Sequence, residues 1–446
     1  MAISMRKHLE QLEYAGLLTR VKKQVDPVYE LPAVAKKIHK EFGKAVLFEN
    51  VKGSLIPLVS YIYPNRESIA NALDMEYGRE LEQWAEREAF TLSHEIAQEA
   101  PCQDIIYTDE DIDLFKLPIV THSDGDAGPY ITGGVVIAND PMTGLANASF
   151  NRLQLVDKDK LRVRMMPPQH LGICHTLSEQ KNMPLEAAVV IGAPPALMFS
   201  AASKIPFDRS ELEFAGALCN EPLKVTKCRT IDVEVPADAE IVIEGIVLPN
   251  VREMEGPFGE FTDSYVPVMK NHVFHVKAIT HRKDPIYHSI YAGGQEDLYL
   301  LGFPIEAEIY QHVKKFAPSG ITGVSTTSFV FGCVIGLKKQ TEEQPKNVIL
   351  SALASYSWIK TCIVVDEDVD IYDASDVLWA VQTRCCPDKD IVLVKGVSSY
   401  TREDVREVHI GKFGIDATKP LKIKDIMRRR FIPGEEEIRI EDYLHY

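Results

Sequence analysis

No G-x-G-x-x-G, G-x-x-x-x-G-K-[ST], H-E-x-x-H or G-x-S-x-G occurs in the sequence. Rossmann dinucleotide binding, P-loop chemistry, zincin proteolysis and the serine-hydrolase elbow therefore lack their motifs. Basic residues are in deficit as well: 49 stand against 65 acidic ones, and the resulting charge of −16 repels nucleic-acid phosphates and anionic lipid. The run Arg428-Arg429-Arg430 is too short for a nucleic-acid arm and is expected to pair with Glu435-Glu436-Glu437 or with a partner subunit. The eight cysteines (102, 174, 219, 228, 333, 362, 385 and 386) form no C-x-x-C, and no secretory leader pattern opens the chain. Both absences point to free thiols in a reducing cytoplasm. The adjacent Cys385-Cys386 reads as two buried thiols beside a helix end. Residues 317–337 carry no charge over a length that could span a membrane, but Pro318 and four glycines make a buried strand and turn the better reading. Internal repeats and low-complexity segments are absent too.

What is present is an α/β (α+β) pattern in three stretches. Ser4 as an N-cap, Met5, Leu9 and Leu12 at helical spacing and Gly16 as a stop predict a short amphipathic helix. A helix over ELPAVAKKIHKEFG, a strand over KAVLFENV and a charged helical piece, YGRELEQWAEREAFTLSHEIAQEA, complete a small mixed unit ending near residue 115 at TDEDIDLFKLP. From Tyr130 the runs turn apolar and β-branched, which predicts a β-rich middle domain as a barrel or open sandwich. The last third alternates again: EAEIYQHVKKFA and ASDVLWAVQTRC as helices, with KTCIVVDEDVDIYD as strand then loop.

The residues with chemistry to offer lie mostly in the middle stretch. In EGPFGE, a Gly-Pro-Phe-Gly bend holds Glu255 and Glu260 in a fixed relation, although such a pair in isolation is ordinarily a solvated turn. Upstream stand Asn147 and Arg152 in NASFNR, Gln169-His170 in MPPQHLG and Glu211 in ELEFAGAL. An Asn oxygen, a His nitrogen and a Glu oxygen suit Mn²⁺ or Mg²⁺, but chemistry alone does not select these three from the rest. Arg152 with Glu255 could equally be a buried structural ion pair, and His170 a satisfied core histidine. His272 and His275, three apart in a strand pattern, fall on opposite faces and make no metal pair.

In order along the chain, N-x-x-x-x-R-L-Q at 147–154, Q-H at 169–170, E-L-E-F-A-G at 211–216 and E-G-P-F-G-E at 255–260 resemble the blocks of the UbiD-type reversible decarboxylases, which use prenylated flavin mononucleotide. VVDEDVDIYD at 364–373, TRCCPDKD at 383–390 and GIDAT at 414–418 extend the resemblance over nearly the whole chain. It implies a small N-terminal α/β domain (1–115), a central β-rich split-barrel flavin-binding domain (116–300) and a C-terminal α/β oligomerisation domain (301–446).

The resemblance further implies that Asn147, His170 and Glu211 hold Mn²⁺ or Mg²⁺ against the flavin phosphate, with K⁺ alongside near Ser203. It assigns Ala148, Ser149, Phe150, Asn151, Arg152, Met166 and Gln169 to the isoalloxazine, Lys360 to the phosphate and Thr132 to a further cofactor contact. Glu260 becomes the proton donor, with Arg152 and Glu255 as its ion-paired partners. The implied partners are a small carboxylic acid and carbon dioxide, a flavin prenyltransferase as cofactor supplier and further copies of the chain in a dimer or hexamer. The alternatives are a non-catalytic subunit of a larger carboxylase assembly and an ordinary flavin oxidoreductase. Two features depart from the family pattern. Asp263 stands where many relatives have glycine, which puts an extra carboxylate near the expected pocket, and GGQEDLYLLGF at 293–303 offers no second-carboxylate clamp.

Overall fold

The computed structural model describes residues 3–166, 169–326, 330–399, 411–430, 432–434, 437–439 and 442–443, which form two compact units, 1–307 and 308–446. The first unit begins with the expected helix, Met5–Tyr14. Ser4 accepts the Lys7 N–H at 3.2 Å as its cap, Met5, Leu9 and Leu12 are buried, and Gly16 takes the left-handed turn at φ 69°. Helix Glu30–Phe42 stops at Gly43 and leads into the fully buried strand Ala45–Phe48. This strand pairs in parallel with Leu18–Val21 and antiparallel with Leu58–Ser60, and the distant segment Tyr287–His288 completes the sheet beside Leu58–Ser60. The charged helical piece is helix only over Glu80–Glu88. Beyond it Glu95–Ile96 joins Lys224–Lys227 as an edge strand, so tertiary pairing overrides the helical propensity of the segment.

The middle of this unit is a nine-stranded sheet in which every pair is antiparallel. Its path runs Tyr130–Ile131, Leu153–Asp157, Lys160–Val163, Met269–His281, Ile241–Glu255, Leu185–Ile191, Gly134–Asn139, Ala146–Phe150, with Ile105–Thr108 also on Met269–His281. Ala146–Phe150 and Leu153–Asp157 lie six strands apart on this path, which would be about 29 Å in a flat sheet. Only Asn151 and Arg152 join them, and that link reaches about 11 Å at most. The sheet must therefore curl until its two ends nearly meet, and Arg152 is placed at the closure. Register shifts within the long pair Ile241–Glu255 and Met269–His281 supply bending. The edge strand Ala146–Phe150 is covered by helices His170–Gln180, Pro195–Ala202 and Glu211–Leu218, none of which the β-rich reading of this stretch separated out.

Several imidazoles are buried in this unit. His8 meets the Ile62 carbonyl at 2.7 Å, and burial pushes both His8 and His122 down to about 4. Their unfolded value is near 6.5, so between those limits the unfolded chain binds more protons and stability falls as pH drops. The expected loss between about pH 7 and about pH 5 is about 2 kcal/mol for each histidine, read from urea unfolding midpoints. Asp297, pushed up to about 7 by burial, takes up a proton in the same window and opposes this loss, so the histidine contribution is read against a His122→Asn variant, whose stability should fall less between these pH values; an identical fall in both proteins would contradict neutral burial.

The second unit holds a five-stranded sheet in the order Ile321–Ser325, Gly332–Leu337, Thr361–Asp366, Lys412–Ala417, Ile391–Val394; the central two pairings are parallel and the outer two antiparallel. The uncharged stretch 317–337 thus supplies two strands, apart from residues 327–329, which lie outside those described. Buried Arg384 donates to Asp366 at 2.8 Å and to both Asp368 oxygens at 2.9 Å, and Lys419 donates to the same two acids at 2.8 Å. Two of the C-terminal motif blocks and the lysine that follows the third therefore fold around one ionic cluster. Arg429 pairs with Asp376; of the acidic run expected to meet the arginines, Glu435 and Glu436 lie outside the described residues. Cys385 caps helix Ala374–Arg384, beside the helix end as expected, but neither thiol is buried: Cys385 is half-buried and Cys386 exposed, because the chain turns outward there into Pro387–Asp390. All the described cysteines are free, and among the described residues no helix is long and apolar enough to cross a membrane.

Candidate active site

Glu255 ends the long strand Ile241–Glu255 and is wholly buried. It accepts Arg152 Nε and Nη2, each at 3.0 Å, and Asn271 Nδ2 at 2.7 Å. Burial pushes this carboxyl up, but the Arg152 hydrogen bonds and charge, with help from Tyr130 and Asn271, outweigh that and hold it below the usual range. The third guanidinium nitrogen, Nη1, donates to Glu260 Oε1. One arginine at the sheet closure thus spans both glutamates of EGPFGE, with its guanidinium 5.1 Å from the Phe258 ring centroid.

Gly256 at φ 93° and Pro257 turn the chain out of the long strand into a hairpin, Phe258–Glu260 against Ser264–Val266. Asp126 clamps it by accepting the Gly259 N–H at 2.8 Å. Asp263 sits at the hairpin tip with φ 55°, where its N–H donates to the Glu260 carbonyl at 2.9 Å, and its side chain is exposed. Glycine is the ordinary residue for that conformation and Asp tolerates it, so the extra carboxylate belongs to the turn and not to the pocket. Arg164, absent from the sequence reading, brings Nη1 to 3.8 Å from Glu260, while its Nε and Nη2 lie 3.3 and 3.1 Å from Met166 Sδ.

Five residues upstream of Arg152, at most about 17 Å along an extended chain, is a second cluster. His170 and Glu211 each open a helix, and both side chains meet Asn147 on the edge strand. Asn147 Nδ2 lies 3.0 Å from both Glu211 oxygens and 3.4 Å from His170 Nδ1, which is 3.6 Å from Glu211 Oε1. Ala148 N–H adds a bond to Glu211 at 2.9 Å. The amide nitrogen thus occupies the electropositive position that a cation would take, and it leaves Asn147 Oδ1 buried with no hydrogen-bond partner. Turning the amide over would aim that oxygen at the carboxylate, an arrangement favourable only with a cation between them. The donor set fits a hard divalent ion in this sense, although among the described residues no group of three His, Cys, Asp or Glu forms a metal site.

Ser149 Oγ donates to Asn151 Oδ1 at 3.0 Å and Asn151 Nδ2 to the Arg164 carbonyl at 2.9 Å, which pins the crossing between the sheet ends. Phe150 closes the same edge strand. The Gln169 N–H donates to the Met166 carbonyl at 2.8 Å ahead of the helix, while Pro167 and Pro168 lie outside the described residues. Thr132 accepts the Ile290 N–H at 3.3 Å. Ser203 is spent on its own helix, donating to the Phe199 carbonyl at 2.7 Å; the hydroxyl that reaches Glu211 is Ser200, on its carbonyl at 2.6 Å. Lys360 belongs to the second unit, where it lies 5.5 Å from the Phe331 ring centroid. Asn271, Tyr130 and Ser200 carried no signal in sequence spacing, because each reaches the site from a separate element. A cavity of about 970 Å³ bounded by the first helix, residues 53–57 and strand Met269–His281 contains none of these groups.

Three family models cover most of the chain: the 3-octaprenyl-4-hydroxybenzoate carboxy-lyase N-terminal domain at residues 9–88, its Rift-related domain at 94–295 and its C-terminal domain at 298–417. The chain belongs to the UbiD family. It is 34% identical over 445 residues to the anhydromevalonate phosphate decarboxylase of Methanosarcina mazei, covering 97% of this chain and 100% of that protein. The UbiD-class enzyme HmfF from Pelotomaculum thermopropionicum, solved in complex with FMN, matches at 39% identity and a TM-score of 0.93 over 99% of this chain and 100% of that one. An evolved dimeric form of HmfF in complex with prFMN matches at 39% identity and a TM-score of 0.90, with the same coverage. The mixed α/β architecture expected from the sequence is thus the UbiD fold, and the homologues of this chain are decarboxylases.

Proposed function

We propose that this chain is a cytoplasmic, non-oxidative and reversible decarboxylase of an aromatic, heteroaromatic or α,β-unsaturated carboxylic acid, working as a homo-oligomer with prenylated FMN made by a flavin prenyltransferase. The observation that carries it is the Arg152 guanidinium, bidentate on buried Glu255 and extended to Glu260, two residues past the edge strand on which Asn147 meets His170 and Glu211 from two helix starts. The FMN and prFMN complexes of HmfF support the cofactor. Asn147, His170 and Glu211 would hold Mn²⁺ or Mg²⁺ and, through it, the cofactor phosphate, with the helix N-termini at His170 and Glu211 adding positive potential. Once bound, the flavin supplies an electron sink for the pair left when carbon dioxide departs.

The rest falls to the protein. Glu255 fixes the plane of Arg152 and keeps it charged, so that the guanidinium can bind the substrate carboxylate. Of the two glutamates on Arg152, Glu260 is the more accessible, at the open end of the cluster. Glu260 then delivers the proton to the carbon that carbon dioxide has left.

Co-expression with a flavin prenyltransferase, followed by native mass spectrometry and a carbon dioxide release assay over a panel of acids, tests this reading. Retention of an unmodified flavin with redox turnover, or no turnover of any acid, would overturn it. Glu211→Gln keeps the shape of the side chain but loses the charge. It is expected to lower the fraction of protein that retains metal and flavin at least tenfold, read from the mass spectrum and the flavin absorbance.

A further inference from the structure

Arg164 directly follows strand Lys160–Val163, and the register that pairs Val163 with Leu153 sets it opposite Arg152, whose carbonyl accepts the Arg164 N–H at 3.4 Å. Residues opposite each other on antiparallel strands project from the same face, so two guanidinium groups emerge side by side at the closure of the sheet. Like charges so placed repel unless an anion stands between them. Here that anion is Glu260: its Oε1 accepts Arg152 Nη1 and lies 3.8 Å from Arg164 Nη1. The second separation is beyond hydrogen-bond range, and Glu260 is tethered to a hairpin that Asp126 clamps at Gly259. Glu255 stays outside this arrangement, since it takes the other edge of Arg152 through Nε and Nη2. Arg164 is anchored by its backbone, where its carbonyl accepts Asn151 Nδ2 at 2.9 Å. Its Nε and Nη2 rest on Met166 Sδ, a weak acceptor that a carboxylate oxygen outcompetes. Both Arg164 and Glu260 are half-buried, so solvent reaches the place where they meet.

We propose that Arg164 is a second substrate-binding arginine, which with Arg152 Nη1 clamps the reacting carboxylate of the acid in the place that the Glu260 carboxylate takes in this structure. The inference rests on the decarboxylase reading above and adds a residue to it. An untethered carboxylate can bring one oxygen to each guanidinium at hydrogen-bond distance, which the Glu260 side chain does not. Its entry releases Glu260 from both arginines, so the exchange that binds the acid also frees Glu260 to turn to the reacting carbon. When the bond to the carboxyl carbon breaks, its electron pair stays with the substrate and carbon dioxide departs neutral. The clamp then loses its anion, so Arg164 tightens binding of the acid without retaining the product.

The test uses the full chain loaded by prenyltransferase co-expression and compares 4-hydroxybenzoate, furan-2-carboxylate and 3-methylbut-2-enoate with their carboxamides, which keep the shape and lack the charge. Dissociation constants are measured calorimetrically alongside carbon dioxide release, and flavin and metal content by native mass spectrometry. Arg164→Gln is expected to weaken binding of the acids about tenfold and that of the carboxamides less than about twofold. Flavin content, metal content and the urea midpoint should match the wild type, since the backbone bonds of residue 164 to Asn151 and Arg152 do not depend on its side chain. For an acid that turns over, KM should rise about tenfold while kcat stays within about threefold. Arg164→Lys keeps the charge without the fork and should recover part of the loss. Acid binding unchanged in Arg164→Gln, or acid and carboxamide weakened equally, overturns the proposal. Selective weakening of the acids with no turnover supports the clamp and counts against the decarboxylase reading. Turnover that is indifferent to Arg164→Gln counts against the clamp alone, and a wild type that binds none of the acids overturns both.

Discussion

Replacing Arg152 with alanine is expected to abolish carbon dioxide release and to lower the unfolding free energy by about 3–5 kcal/mol. Both effects come from one geometry. Glu255 has no exposure to water, and two of its three described hydrogen bonds come from Arg152. Without the guanidinium it must stay charged and unpaired, or take up a proton and break what remains of its network. The loss should grow with pH: below the unfolded value the variant's Glu255 is protonated folded and unfolded alike, and above it the variant alone holds an uncompensated buried charge. Urea unfolding at about pH 5 and about pH 8 reads this difference. A variant as stable as the wild type at both would show that the pair contributes nothing to the fold. The double variant Arg152→Met with Glu255→Leu provides the control. It removes both charges together, so stability should largely return while activity stays absent.

This coupling explains why the site was only partly legible in the sequence. The helix Met5–Tyr14 could be read from Ser4, the apolar spacing and Gly16, because each signal acts within a turn. The strands around Ile241–Glu255 declared themselves through β-branched runs. The closure of the sheet did not, since it follows from strand order and the two-residue link at Asn151-Arg152, which no local pattern encodes. Nor did the strand Tyr287–His288, which joins a sheet built more than two hundred residues earlier. Arg152, Glu255 and Glu260 were named from the order of motif blocks, and the physical reason for the set emerges only when one guanidinium is seen to reach both acids. Asp263 and Asp126 reverse the same lesson. Adjacency to the motif made Asp263 look like part of the pocket, yet its backbone conformation puts it at an exposed hairpin tip, while the acid held against the hairpin is Asp126, more than a hundred residues earlier.

Glu260→Gln should separate chemistry from folding. The side chain is 23% exposed, and an amide oxygen can still accept from Arg152, so the unfolding midpoint is expected to stay unchanged. The amide has no proton to deliver at neutral pH, and carbon dioxide release should fall on the order of 10²- to 10⁴-fold. KM should not rise, because removing one of the two carboxylates that compete for Arg152 leaves the guanidinium more available to the substrate carboxylate. Deuterium incorporation at the reacting carbon in D₂O falls in parallel, since exchange needs the same transfer. Arg152→Ala loses stability and activity together, whereas Glu260→Gln loses activity alone with substrate binding intact. A Glu260→Gln enzyme that exchanges deuterium within a few-fold of the wild-type rate would move the acid role to another group. An unstable one would mean that Glu260 holds the Arg152 cluster together rather than working at its open end.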